Sequence, residues 1–361
     1  MENAFNTDTS LPQQAPARLG KVAFSGKAGE FFGIWMVNLL LSIVTLGIYS
    51  AWAKVRTNQY FYGHTRIENQ PFRYLATPMQ ILKGRIVAVI VFALFFVLSA
   101  VSPALALLLA LALLIASPWL IVQSLKFNMR MTSYRNVRFA FNGDYGNAFK
   151  HFVLLPVLAV FTLYLAMPWV LKRIDQFVYG NISYGGKKFQ VNTETGNYYI
   201  AALVTIAAVV CVVIAFSVIS ALAVGATAFG TDSGINGVFG LSTVLFFVLY
   251  FLVFAMSGAI YQTMIRNHLF DNTELPEIAK LKSEARVMPF LWLTFTNLLA
   301  IVVTLSLAYP WAKIRKAAYL ASVTTVAVYP QADTLADQAQ QDGNAFGEEA
   351  VGLFDIDVSL A

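Results

Sequence analysis

Uncharged stretches set the plan of this chain. Between Glu30 and Lys54 no side chain carries a charge, and a helix over residues 31–53, rising about 1.5 Å per residue, is long enough to cross a hydrocarbon core of roughly 30 Å. Trp52 stands at its end with Lys54 and Arg56 directly after it, the pattern of a helix leaving a bilayer through the headgroups. An uncharged run of 40 residues separates Arg85 from Lys126. Proline breaks it at Ser102-Pro103, which predicts a transmembrane hairpin. Residues 152–171 form a further apolar segment, 199–222 and 238–262 pair as a second hairpin, and 288–311 close the series. Seven apolar segments result, separated by polar collars.

The segments repeat. Thr45-Leu46, Trp52 and Arg56 recur at identical spacing as Thr162-Leu163, Trp169, Arg173 and as Thr304-Leu305, Trp311, Arg315. The first two copies also share Phe24/Phe141, Gly26/Gly143, Gly29/Gly146, Phe32/Phe149, Tyr62/Tyr179, Gly63/Gly180 and Phe72/Phe189 at one offset, and residues 38–60 match 297–319 at 11 of 23 positions. Aligned tryptophans, arginines and asparagines mark a repeated unit rather than a shared liking for leucine. The fold class read from this is an all-α polytopic membrane protein, an internal repeat of core segment plus transmembrane hairpin, with small soluble collars that have room for short β-strands. Its parts are a polar N-terminal segment 1–23, membrane repeats 24–136 and 137–270, a partial third repeat 271–320 and an acidic tail 321–361.

Steps of seven and four residues would set Thr45, Trp52 and Arg56 near one face of a continuous helix. Pro168 and Pro310, immediately before the tryptophans, would kink or break the helix there. The ordinary reading of these residues is a back-bonded threonine, an interfacial tryptophan and a snorkelling arginine. The functional reading makes Asn38, Thr45, Trp52, Arg56, Thr162, Trp169, Arg173, Asn297, Thr304, Trp311 and Arg315 candidate path-lining or repeat-motif residues.

Composition narrows the class. The chain of 361 residues is 58% hydrophobic and 12% charged, with a mean hydropathy of +0.64, which excludes an ordinary soluble domain. The net charge of +6 comes from cations beside apolar segments and not from a nucleic-acid patch, so anionic headgroups are the expected counterpart. If all seven segments cross, the basic residues divide 11 to 14 between the two sides, almost without bias. If the three core segments enter and leave on one face, all 25 fall on that face, as the positive-inside rule favours. Inverted repeats, as in many secondary transporters, remain the alternative.

Chemistry is sparse. His64, His151 and His268 stand apart with no metal-ligand spacing, Cys211 is the one cysteine and reads as a packing residue, and no nucleophile or nucleotide motif is present. Gly185-Gly186 with Lys187-Lys188 reads as a turn between two short strands, or else as a phosphate nest. No catalytic residue, cofactor or metal is expected, and the protein is read as no enzyme.

FSGKAGEFF at 24–32, TLGIYSAWAKVR at 45–56, the Tyr62-Gly63 step, Phe72 and the ending GEEAVGLFDIDVSL at 347–360 together resemble the YjgN-type bacterial inner-membrane family. The resemblance runs over nearly the whole chain. It implies a multi-pass protein of the bacterial inner (cytoplasmic) membrane, carries no established activity, and hints at a membrane-associated protease as partner. Two functions are therefore expected in competition: a channel or transporter-like permeation protein for a small solute or ion, and a non-enzymatic membrane scaffold or regulator. The expected partners are the lipid bilayer with anionic headgroups at the basic collars, a protein at the acidic tail and further copies of the chain, with no nucleic acid.

Overall fold

A computed structural model describes residues 18–230 and 235–334. The extreme N-terminus, the Asp232 loop and residues 335–361, the greater part of the acidic tail with its 347–360 ending, lie outside the described residues.

The collars are the organising layer. Eleven short strands, β1 (Arg18–Phe24), β2 (Thr65–Ile67), β3 (Gln70–Tyr74), β4 (Thr132–Tyr134), β5 (Val137–Phe141), β6 (Ile182–Tyr184), β7 (Lys187–Lys188), β8 (Gln190–Val191), β9 (Thr273–Leu275), β10 (Ala279–Ser283) and β11 (Thr324–Val328), form one antiparallel sheet. Its order is β7-β6-β5-β4-β3-β2-β1-β11-β10-β9-β8. The strands at its two ends, β7 and β8, are separated in sequence only by Phe189, so the sheet comes round on itself as a barrel. Helices dominate as expected and the collars hold the short strands they had room for, but the all-α class is corrected in that these strands join into one sheet, because two-residue turns bring their alternating residues together. Glu68-Asn69, Arg135-Asn136 and Gly185-Gly186 all have positive φ at both turn residues, the geometry of hairpin turns that match strand twist. Gly185-Gly186 is thus the strand turn that its sequence predicts. The first residues of the stretch read as tail form β11, paired to β1 and β10.

Every helical excursion leaves this sheet and returns to it. Among the described residues four helices are long and apolar enough to cross a membrane: α3 (Pro78–Val101) with α4 (Pro103–Arg130), and α8 (Thr195–Gly230) with α9 (Ile235–Asp271). Pro78 and Pro103 open their helices, where a missing N–H costs nothing. Cys211 is exposed on α8, facing outward instead of packing as expected.

The three core segments differ from expectation. Each is two helices, not one: α1 (Ala28–Val44) and α2 (Ser50–His64); α5 (Tyr145–Phe149), a π-helical turn (Lys150–Leu154) and α6 (Leu155–Phe161), returning as α7 (Met167–Gly180); α10 (Val287–Val303) and α11 (Tyr309–Ser322). The break falls at Thr-Leu and not at the prolines, which sit in the first turn of α7 and α11, where proline fits. Lys54 stands five residues into α2, about 7 Å back from the turn. A full crossing of roughly 30 Å would bury that ammonium. Core segments and long hairpins alike therefore begin and end on the sheet side.

Candidate functional site

The repeated Thr-Leu pair builds the turn of each short hairpin. Thr45 Oγ1 donates to the Leu41 carbonyl (2.7 Å) and accepts from the Tyr49 amide (2.9 Å), closing α1 and starting α2 with one side chain. Thr304 bonds Ala300 O and Ala308 N in the same way, and Thr162 bonds Ala159 O and Ala166 N. The following leucine takes left-handed backbone in each turn, with φ of 50°, 50° and 49° at Leu46, Leu163 and Leu305. These leucines are 84–94% exposed and give each hairpin an apolar tip.

The turn separates residues that one straight helix would align. Thr45 ends α1 while Trp52 and Arg56 lie on α2, so the expected stripe along one face does not form. Arg173 and Arg315 instead lie over the rings of Trp169 (5.6 Å) and Trp311 (4.4 Å) on their own helices, a cation–π arrangement, while Arg56 donates to the Tyr49 hydroxyl (3.1 Å). Asn297 is buried and satisfied: its Nδ2 donates to Ala312 O (3.2 Å) and its Oδ1 accepts from Arg315 (2.9 Å). Asn38 is also buried but has no partner among the described residues on either side-chain atom. The two asparagines thus do not meet around a common path; Asn38 lines a cleft with Lys313 of α11, while Asn297 is held inside its own hairpin.

The barrel axis holds what the sequence did not single out. The lumen, about 200 Å³, is lined by Tyr134, Phe139, Tyr184, Leu275, Leu281, Val326 and their neighbours. Burial pushes the Tyr134 phenol up to about 12 and the Tyr184 phenol higher still, while their hydroxyls donate to Ile67 O (2.9 Å) and Tyr134 O (3.0 Å). Phe72, Phe139, Phe189 and Leu281 form a wall shared with a vestibule of about 400 Å³ on the helix side, where Phe61, Met129 and Tyr179 end α2, α4 and α7. Tyr179 is in turn shared with a chamber of about 350 Å³ between α7, α9 and α11. Polar groups enter here: Asp175, Gln262, Arg266 and Lys316. Arg266 lies 4.2 Å over Phe270 and donates to Thr324 Oγ1 (2.8 Å), its Nε is unpaired, and no carboxylate among the described residues pairs with it.

The opposite mouth is capped. Ala332 is buried in the lumen core, and Asp333 is held by Arg18 (2.5 Å) and Arg135 (2.7 Å), with Glu68 3.5 Å from Arg18. Burial works against the Asp333 carboxylate, but the two arginines outweigh it and hold its pKa below the ordinary carboxylate value.

Each histidine has local partners: His64 and His151 lie against the Tyr60 and Asn147 carbonyls (2.7 and 2.6 Å), and His268 accepts from the Glu194 amide (2.9 Å). Among the described residues no three His, Cys, Asp or Glu side chains group as metal ligands.

The family described as "Bacterial protein of unknown function (DUF898)" matches residues 20–353. Relatives called "Inner membrane protein YjgN" are 36% identical over 141 residues in Salmonella typhimurium strain LT2, 33% over 136 residues in Escherichia coli O157:H7, and 32% over 136 residues in Escherichia coli strain K12. The matched stretch is 37–38% of this chain and spans about a third of the relatives' own length (34–35%). No solved structure matches.

Proposed function

The chain belongs to the DUF898 family of bacterial proteins and resides in the inner membrane, and from that premise we propose a non-enzymatic, multi-pass permeation protein for a small apolar or amphiphilic solute. The observation that carries this reading is the series of cavities: a chamber with polar groups among apolar ones, joined through Tyr179 to an apolar vestibule, which shares a wall with the barrel lumen. Apart from Arg135, which Asp333 holds at the capped mouth, the lumen is lined by Phe, Tyr, Leu, Ile, Val and Ala side chains that offer an ion little in place of its hydration shell, so of the solutes first considered the uncharged ones fit. The Ala332-Asp333 segment serves as the closure of the route.

In this reading the three short hairpins are copies of one unit, supported by the spacing of their Thr-Leu, Trp and Arg residues and by near-identical φ at Leu46, Leu163 and Leu305. Their tips dip into one leaflet. The sheet faces the cytoplasm, because all 25 Lys and Arg then lie on or near its side and none at the long hairpin tips. The scaffold alternative rests on an acidic tail of which residues 335–361 lie outside the described residues.

Reconstituted into liposomes, the protein is expected to pass small uncharged fluorescent solutes faster when Asp333→Ala loosens the cap, and more slowly when Phe139→Trp fills the lumen. Flux indistinguishable from empty liposomes for every solute of a broad panel, in wild type and Asp333→Ala alike, would overturn the reading.

A further inference from the structure

A cleft of about 380 Å³ lies apart from the barrel axis, between α1, α2, the start of α3 and α11. Three cations line it, Lys54, Arg85 and Lys313, and no acidic residue does. None of the three forms an ion pair with a described carboxylate. Arg85 donates to Ser50 Oγ, and Lys313 lies over the Phe61 ring (4.7 Å). The wall also contains Ser42 and Asn38, the latter 4% exposed with neither Nδ2 nor Oδ1 hydrogen-bonded among the described residues. A buried carboxamide without partners costs stability unless something satisfies it, and three cations around one cleft repel each other unless an anion joins them.

The repeat explains how two of the cations meet. Lys54 and Lys313 occupy the same step of Trp-Ala-Lys-x-Arg in hairpins 1 and 3. Because β11 pairs with β1, α11 comes to lie against α1, and the third hairpin's lysine reaches the cleft of the first.

We infer that this cleft binds a phosphate group. Arg85 is the last charge before 40 uncharged residues and Lys54 the first after 23, so the cleft opens at the edge of the apolar zone, the level of a phospholipid phosphate. An arginine fork with two ammonium groups and a hydroxyl suits phosphate oxygens. The same chemistry serves a lipid headgroup and free phosphate, and the two are separated by titration.

The full chain in neutral detergent is titrated with dihexanoyl phosphatidylglycerol or with inorganic phosphate, following thermal unfolding and intact-mass adducts. The lipid is expected to raise the unfolding temperature and to leave a one-lipid adduct, with affinity about tenfold weaker in Arg85→Gln and separately in Lys54→Gln, the loss of one charge-assisted hydrogen bond or contact. Lys280→Gln, on exposed β10, leaves it unchanged. Equal, Arg85-dependent stabilisation by inorganic phosphate assigns the site to the bare phosphate group, and stabilisation by lipid alone assigns it to the headgroup. No binding of either probe, or wild-type affinity in both cleft variants, overturns the inference. None of these residues lines the axial cavities, so this outcome is separate from that of the flux experiment.

Discussion

Asn38 and Asn297 occupy the same step of two hairpins that share 11 of 23 residues, yet one is left without a partner and the other is satisfied on both atoms. The cause is two neighbours. In the third hairpin Thr296 and Asn297 both accept from Arg315 (3.0 and 2.9 Å). In the first, Val37 replaces the threonine, and Tyr49 stands where Ala308 does, so Arg56 turns to the tyrosine hydroxyl. Tyr49 is in turn stacked on Trp52, 6.0 Å between centroids at 10°. Two hairpins of like sequence thus differ, one closed on its own asparagine and the other open at it.

The comparison breaks most visibly at the asparagines. Asn297→Leu strips the charged Arg315 of one of its two acceptors and removes the tie to the Ala312 carbonyl inside the protein, a loss of about 1–3 kcal/mol. Asn38→Leu removes two polar atoms that have no partners, so without added phosphate or lipid it should be neutral or stabilising. Thermal unfolding of the two variants in detergent checks this; changes of the same sign and size would show that Asn38 is satisfied as Asn297 is.

Next in size is the step before each hairpin. At Gly26 an added Cβ would lie 2.6 Å from the Phe24 ring, and at Gly143 2.5 Å from the Phe141 ring. The third hairpin carries Ser283 and Ala285 at these places, so ring and Cβ exclude each other. Gly26→Ala should cost about 1–3 kcal/mol by overpacking, and adding Phe24→Ser should recover a good part of it. Additive losses in the double variant would refute that coupling.

How far the sequence foretold this differs by element. The four long helices were legible because 40 uncharged residues around Ser102-Pro103, and the runs at 199–222 and 238–262, have no other use. The repeat spacing was legible, but not the turn it encodes. Leucine at positive φ contradicts local preference, and of the residues that follow, Gly47, Tyr164 and Ser306, only one is a glycine. The better clue was Lys54, Lys172 and Lys313, each too soon after the turn for a crossing. The barrel was hidden for another reason: strands of two to seven residues show too few alternations to be read as a period. Phe139, Leu281 and Val326 therefore gave no sign of sharing a lumen.

A smaller effect tests what the hairpins have in common. Thr45→Val and Thr304→Val each remove a hydroxyl that ends one helix and caps the next while keeping the branched shape. Each should cost about 1 kcal/mol, as for a lost helix cap, and the two losses should be equal because their bonds agree within 0.1 Å. Unequal melting shifts would mean that the hairpins differ already at the turn and not first at the asparagines.

The smallest expected effect lies at the cap, where the first hairpin's β1 meets the third hairpin's β11. Asp333 joins them through Arg18 and also holds Arg135, but it and Arg18 are 35% and 53% exposed, so solvent screens the pairs and Asp333→Asn should cost less than about 1 kcal/mol. The sign with pH follows from the lowered carboxylate. A native value below the unfolded one gives a contribution that is complete above the unfolded value, near 3.9, and lost as pH falls through the lower native value. Wild type and Asp333→Asn should therefore differ by a constant amount from neutral pH down to about 5 and converge below about 4. Convergence already near neutrality would mean that the carboxylate is not held by its arginines, and that β1 and β11 are joined without it, by their backbone pairing and the packing of α11 on β1.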